Sequence, residues 1–218
     1  MRFLNWILEL LFPRKCVLCG KLLEKDALDL CPDCGKTAFV HSSGRKTIPL
    51  VERWFALWYY EGNVRESLLR YKFGNARAYA ESYGRLLGEK LVADGAAFDV
   101  LTWVPVSAKR RRKRGYDQVE LLAEALGRTM GTAPVQTLRK IRDNPPQSGI
   151  QGDAARRANV KGVYRTVAPE GFAGKRVLLV DDIITTGATV SEAARELRTA
   201  GAKEVICAAV AARREPTT

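Results

Sequence analysis

Residues 177–180 form an unbroken aliphatic run, VLLV, and Asp181 and Asp182 follow it directly. A run without alternation suits a strand buried on both faces, as in a parallel sheet covered by helices. This strand is predicted to end at the aspartates. Comparable runs appear in FDVLTWVPV, residues 98–106, which is predicted to end at Pro105, and in EVICAAVAA, residues 204–212. Between them the period changes. NVRESLLRYKF carries Asn63 as a candidate N-cap with Glu66 three residues later, a capping-box signature. A second helical pattern covers residues 76–93, punctuated by Gly84 and Gly88. In YDQVELLAEALGRTMG, Val119, Leu122, Ala123 and Leu126 sit at helical spacing and a glycine closes the pattern. A further helix is read in ATVSEAARELRTAGA. Residues 44–62 mix aromatic and β-branched positions consistent with a strand or hairpin. Residues 143–164 are polar and rich in Gly, Pro and Arg, long enough to form a functional or mobile loop. Strands alternating with helices predict an α/β fold with a doubly wound parallel sheet.

Length and composition refine this picture. The 218 residues leave room for one substantial α/β domain and a small module, and 46% hydrophobic residues suffice for a core. A net charge of +12 and a pI near 9.7 point to polyanionic partners, either nucleic acid or phosphorylated small molecules. The first residues, MRFLNWILELLFPRKC, contain an apolar stretch too short to span a bilayer. Glu9 interrupts it and no small-residue cleavage site follows, so it does not read as a signal peptide. It reads as a short helix, ended by Pro13, packing on the protein's own core. These features place the protein in the cytoplasm.

Four of the five cysteines form two matched knuckles, CVLCG at Cys16 and Cys19 and CPDCG at Cys31 and Cys34. Two such pairs can bring four thiolates around a tetrahedral Zn²⁺, with a glycine after each pair to allow a tight turn. A disulfide pair and a redox C-x-x-C are the competing readings; structural zinc is favoured over both, because no secretory segment and no βαβ frame accompany the knuckles. Four sulfur ligands leave no open position for catalysis. His41 reads as a solvated loop residue, and Cys207 as a buried core thiol.

The segment after the aspartates gives them a chemistry. Thr185, Thr186, Gly187 and Thr189 lie just before a predicted helix, where backbone N–H groups, hydroxyls and the helix dipole form a phosphate cradle. Carboxylates one step upstream suit ribose hydroxyls. A phosphorylated ribose therefore fits the whole stretch. As a bare turn, two adjacent buried carboxylates would be costly, because like charges repel.

VLLVDDIITTGAT resembles the phosphoribosyl-pyrophosphate (PRPP) motif of type I phosphoribosyltransferases: aliphatic residues, two acids, then T-T-G-x-T. FPRKCVLCG with CPDCG, YEG before LLRYKFG, VPVSAKRRRKRGYDQ and RRANVKGVY resemble, in that order, the ComF family of competence-associated proteins. The second resemblance covers nearly the whole chain. It implies a zinc module at residues 1–43 and a phosphoribosyltransferase domain at 44–218, with a role in DNA uptake and natural transformation and an uptake helicase as a partner. It also implies that Asp181 and Asp182 hold the ribose hydroxyls of Mg²⁺-bound PRPP and that Thr185, Thr186, Gly187, Ala188 and Thr189 bind its 5-phosphate. Val104, Pro105, Val106, Ser107, Ala108 and Lys109 resemble the pyrophosphate loop. Arg110 and Arg114 lie just beyond it, and Lys72 is placed to reach phosphate. The stretch around Gln147, Arg156, Arg157 and Asn159 resembles a mobile loop over the site. One departure is Asp117, where the family's RGFNQ-like motif has Asn.

The six consecutive cations from Lys109 to Arg114 exceed what one pyrophosphate requires. Single-stranded DNA is the candidate second polyanion, with the run expected to form a solvated loop. Two function classes stay open at this point: an enzyme transferring phosphoribosyl from PRPP to an acceptor, and a non-catalytic PRPP sensor or DNA- and helicase-binding adaptor.

Overall fold

The computed structural model describes residues 13–24, 26–36, 47–145, 149–150 and 152–214. The expected N-terminal helix, His41 and Gln147 lie outside them. Four strands, β1 (Arg53–Tyr59), β2 (Val100–Trp103), β5 (Arg176–Ile184) and β6 (Glu204–Ala212), make one sheet in the order β1-β6-β5-β2. All three pairings are parallel. A two-stranded antiparallel hairpin of β3 (Leu138–Lys140) and β4 (Tyr164–Thr166) stands apart from it. The helices are α1 (Pro32–Gly35), α2 (Gly62–Phe73), α3 (Tyr79–Ala93), α4 (Ala108–Arg114), α5 (Gln118–Met130), α6 (Asp153–Val160) and α7 (Ala188–Thr199). Among the described residues no helix is long and apolar enough to cross a membrane.

Side-chain alternation along the strands sorts the core into two layers. Leu101, Leu178, Val180, Ile206 and Ala208 pack on one face with residues of α2, α3 and α5. Val100, Val177, Leu179, Val205 and Cys207 pack on the other with α7 and the hairpin. Helices on both faces explain why the central strands read as continuous apolar runs rather than alternating ones.

Four local expectations change. Helix α2 begins at Gly62 with Glu61 at the cap position and no side-chain cap, so Asn63 is already inside the helix; Glu66 pairs with Arg65 instead. Residues 153–160 of the polar stretch form α6 rather than loop, whereas residues 44–62 contribute a strand, one of the two forms expected. The basic run is also helical. Ser107 caps α4 by accepting from the Arg110 N–H, and Gly115 ends it at φ 80°; Lys and Arg propagate helix well between such signals. Finally, Gly84 and Gly88 do not punctuate α3 but let it approach α5. A Cβ on Gly84 would lie 2.6 Å from the Ala125 backbone, and one on Gly88 would lie 2.6 Å from Thr129.

Candidate functional site

Strand β5 does not stop at Val180. Its ladder with β2 ends there, at Trp103 beside Val180, while its ladder with β6 continues to Ile184 beside Ala212. Asp181 and Asp182 therefore occupy the edge exposed where β2 stops, at the carboxyl end of the sheet. Being neighbours on a strand, they face opposite layers. Asp182 follows Val180 toward α2 and α5, and Asp181 follows Leu179 toward the hairpin.

Each carboxylate meets a different set of partners. Asp182 Oδ1 lies 2.8 Å from Lys72 Nζ, at the end of α2, and Asp182 Oδ2 accepts from Gln118 Nε2 at 2.8 Å. Gln118 Oε1 in turn accepts from Arg114 at 2.5 Å, and the Arg114 guanidinium lies 5.0 Å from the centre of the Phe73 ring. Lys72 thus reaches the site, but its partner there is a carboxylate. Asp181 Oδ1 accepts from the Asp182 backbone N–H at 2.8 Å. Burial, and then the charge of Asp182, push the Asp181 carboxyl up to about 8. Across the cleft, Lys140 lies over the Tyr164 ring at 5.4 Å; burial, and then the nearby Arg110 charge, bring its ammonium down to about 8. The site thus has one carboxylate paired with a lysine and one carboxyl that burial and its neighbour's charge push upward.

The turn beyond the aspartates has the form expected of a cradle. Gly187 adopts φ 80°, and a Cβ there would meet Ile48 at 3.0 Å. Thr186 Oγ1 accepts from the Ala188 N–H at 3.3 Å, and α7 opens at Ala188. Thr185, Thr186 and Thr189 remain partly accessible at its rim. Together they place three threonine hydroxyls around the N-terminus of α7.

The second loop, Val104 to Ser107, is fixed by Asp117. One of its oxygens caps α5, accepting from Val119 and Glu120 at 2.9 and 3.2 Å, and the other accepts from the Val106 N–H at 2.9 Å. The carboxylate therefore ties this loop to α5. Val104 and Pro105 are buried; Ser107 donates to Asp143 Oδ1 at 2.6 Å, and exposed Lys109 lies 3.9 Å from the same residue. Arg110 donates to the Asn144 carbonyl at 2.6 Å. The stretch expected to cover the site is partly accounted for differently: Arg156 and Asn159, on α6, donate to the Ile150 and Pro145 carbonyls at 2.9 and 3.1 Å. Arg157 lies on the same helix.

Gln118, Lys140, Asp143 and Tyr164 join the site without a role expected from sequence. Gln118 stands in the YDQ motif and is legible there as a companion of Asp117. Lys140 has no local signal, because only the pairing of Lys140 with Tyr164 in the hairpin brings it to the cleft.

Away from the cleft, the sulfurs of Cys16, Cys19, Cys31 and Cys34 all lie within 4.8 Å of one another, and those of Cys19 and Cys31 are 3.6 Å apart. Tetrahedral zinc with bonds of about 2.3 Å requires sulfur separations of about 3.8 Å, so the set fits the ion. Burial alone would push the Cys16 thiol up, but the Cys19, Cys31 and Leu18 backbones hydrogen-bond it and bring it down to about 7. Burial instead raises the Cys19 and Cys34 thiols, and ligation would require all four to lose their protons. Gly20 takes the turn conformation at φ 77°, whereas Gly35 is helical. Cys207 is fully buried in the sheet.

Comparison with known proteins agrees with both halves of this description. Residues 113–218 match the phosphoribosyl transferase domain family and residues 7–44 the double zinc ribbon domain family. The chain is 29% identical to the DNA utilization protein YhgH of Salmonella typhimurium, over 87% of this chain and 86% of that one. Competence protein F of Haemophilus influenzae is 34% identical over 47% of this chain and 45% of its own. Competence protein ComFC of Bacillus subtilis is 27% identical over 83% and 76%. The chain thus carries a double zinc ribbon match followed by a phosphoribosyl transferase domain match, and is similar over most of its length to YhgH and ComFC.

Proposed function

We propose that the protein binds PRPP with Mg²⁺ and transfers its phosphoribosyl group to an acceptor, releasing pyrophosphate. The observation that carries this is the placement of two buried carboxylates immediately ahead of the Thr185–Gly187 turn at the start of α7. In this reading Asp181 and Asp182 hold the ribose hydroxyls, while Thr185, Thr186, Gly187, Ala188 and Thr189 bind the 5-phosphate through N–H groups and hydroxyls. The Val104–Lys109 segment receives the pyrophosphate, with Arg110 and Arg114 beside it as countercharges. Mg²⁺ supplies charge neutralisation for the departing pyrophosphate. The fixed carboxylates stabilise positive charge at the anomeric carbon as the bond to pyrophosphate breaks. Residues 1–43 act as the metal module and 44–218 as the transferase domain. A cytoplasmic site of action follows from the substrate. The names of the relatives, DNA utilization protein and competence protein, support a role in DNA uptake or use.

Incubating the purified protein with PRPP, Mg²⁺ and a panel of bases and nucleic acids, with detection of pyrophosphate and ribosylated product, tests this reading. Asp181→Asn combined with Asp182→Asn should abolish Mg²⁺-dependent thermal stabilisation by PRPP. Unchanged stabilisation would overturn the ribose assignment.

A second reading, single-stranded nucleic acid binding with or without turnover, is favoured by one further observation. Lys109, Arg111, Arg112 and Lys113 are exposed on α4, and beside that helix Phe73 is 71% exposed. Tyr116 cannot serve as the stacking platform because it is 7% exposed. Neutralising Arg111, Arg112 and Lys113 should flatten the salt dependence of binding by about one log-log unit for each phosphate that the protein no longer neutralises. A helicase partner would use the same surface, and pull-down with and without these charges tests it.

A further inference from the structure

Helix α2 touches both the metal module and the carboxylate site, through consecutive turns of the same rod. On the module side, Ser67 is fully buried and donates to the Val17 carbonyl, while it shares a 2.6 Å hydrogen bond with Tyr83. Arg70 donates to the Leu18 carbonyl at 2.5 Å. Val17 and Leu18 are the two residues between Cys16 and Cys19, and both are buried in the same core layer as α2. A second brace holds the module, with Arg85 gripping Asp29 at 2.8 and 2.5 Å and the Asp29 carbonyl accepting from the Val17 N–H. On the site side, the next residues of α2 take over. Tyr71 donates to the Gln118 carbonyl at 2.5 Å, its own carbonyl accepts from Tyr116 at 2.6 Å, and Lys72 pairs with Asp182. Gln118 holds the other oxygen of Asp182.

The carbonyls of Val17 and Leu18 reach α2 from a knuckle wound around its four sulfurs. Without a metal those sulfurs lose the ligand that holds them together, and the path of the knuckle rests on its few backbone hydrogen bonds, the packing of Val17 and Leu18 and the Arg85–Asp29 brace. Ser67 would then keep Tyr83 as a partner and Arg70 would keep Tyr79, each having lost its link to the module. Losing a buried hydrogen bond is destabilising, which loosens the turn of α2 that carries both residues. Because Lys72 lies only two residues beyond Arg70, a shift of that turn reaches Asp182.

We propose that α2 couples the metal module to the carboxylate site, with Arg70 as the positioning residue, so that metal occupancy and PRPP affinity are thermodynamically linked. The coupling itself is mechanical; its expression as PRPP affinity rests on the PRPP reading above. Linkage is reciprocal, so PRPP must hold the metal by the same factor as the metal holds PRPP.

Two measurements on the full-length, zinc-loaded protein test this. In the first, amide hydrogen exchange is followed before and after zinc is withdrawn with a chelator, with no PRPP present. Exchange should accelerate at residues 64–73 and 116–121 as well as in the module, and stay unchanged in α7. Acceleration confined to residues 13–36 overturns the proposal. In the second, zinc release to a chromogenic chelator is timed with and without PRPP and Mg²⁺. PRPP should slow release by about fivefold or more, the lower end of typical allosteric couplings. Zinc-loaded Arg70→Ala should lose that protection and bind PRPP correspondingly more weakly, while Arg70→Lys, which keeps a donor, should recover part of both. PRPP that binds without protecting zinc, with affinity unchanged in Arg70→Ala, overturns the coupling. Absence of PRPP binding to the zinc-loaded parent instead overturns the PRPP reading and the affinity linkage, and the exchange experiment still decides whether α2 transmits the metal state.

Discussion

Asp117→Asn isolates the role of a single oxygen atom. Asn caps a helix about as well as Asp, so the bonds from Val119 and Glu120 to one side-chain oxygen should survive the change. The other oxygen, which accepts from the Val106 N–H at 2.9 Å, becomes an NH₂ group facing a buried donor. A hydrogen bond to a charged acceptor contributes about 1.5–3 kcal/mol, and a donor left facing a donor forfeits it. The carboxyl is itself pushed up by burial and restrained by those three backbone donors, so neutralising it recovers part of the desolvation penalty. The net loss should be about 1–2 kcal/mol, which appears either as reduced stability or as displacement of the Val104–Ser107 loop. Urea denaturation measures the first. The second appears as PRPP binding weakened by about fivefold to thirtyfold, since about 1.4 kcal/mol is tenfold. Asp117→Ala, which removes the cap as well, should cost about 1 kcal/mol more. If Asp117→Asn matches the parent in both urea midpoint and PRPP affinity, the carboxylate does not hold the loop, and the departure from the family's Asn carries no structural meaning.

Other expectations follow from the same contacts. The Asp181 carboxyl rises from its ordinary 3.8 to about 8 on folding, so between those values the folded state holds a proton that the unfolded state has lost. That contribution to stability falls as pH rises through this window, by at most about 1.4 kcal/mol per pH unit. Lys140, lowered from 10.5 to about 8, has the opposite slope between 8 and 10.5, so thermal melts across pH should show a trough near 8 from this pair; a monotonic profile would exclude it. PRPP and Mg²⁺ that require an ionised Asp181 should release close to one proton on binding at pH 7, readable by calorimetry in buffers of different ionisation enthalpy. Gly84→Ala, whose Cβ would meet the Ala125 backbone at 2.6 Å, should destabilise the fold by about 1–3 kcal/mol in chemical denaturation. Metal analysis should find about one zinc per chain, and Cys31→Ser should lower it.

Much of the fold was legible because its strongest signals are local. The β6 bounds coincide with the predicted apolar run at 204–212, and α5 carries the four anticipated apolar residues on its buried face. What escaped depends on contacts distant in sequence. The β3–β4 hairpin pairs Leu138 with Thr166 across an intervening helix, and neither three-residue strand has a run long enough to show a period. The start of α2 was displaced because a good local cap at Asn63 was overruled by a helix that begins at Gly62 without a side-chain cap. In the basic run, the unbroken charge suggested a solvated loop, but the Ser107 start signal and the Gly115 stop signal were present and outweighed it.

The site shows the same division at the scale of one dipeptide. Residue types alone placed two acids and a Thr-Gly turn at the end of a buried strand, and the two follow one another there, from the end of β5 to the start of α7. Strand geometry then separates what the sequence writes side by side. Because successive side chains on a strand face opposite ways, Asp181 and Asp182 enter two different environments, one with Lys140 and Tyr164 across the cleft and one with Lys72 and Gln118. A repulsive pair becomes a divided one, with Lys72 compensating the charge at Asp182 and burial favouring the protonated form of Asp181. A ligand that spans adjacent ribose hydroxyls must draw both carboxylates toward one opening, which requires loss of the Asp181 proton or release of Asp182 from Lys72. The two environments therefore oppose the doubly ionised, unpaired state, and a proton released when PRPP and Mg²⁺ are added would report its formation.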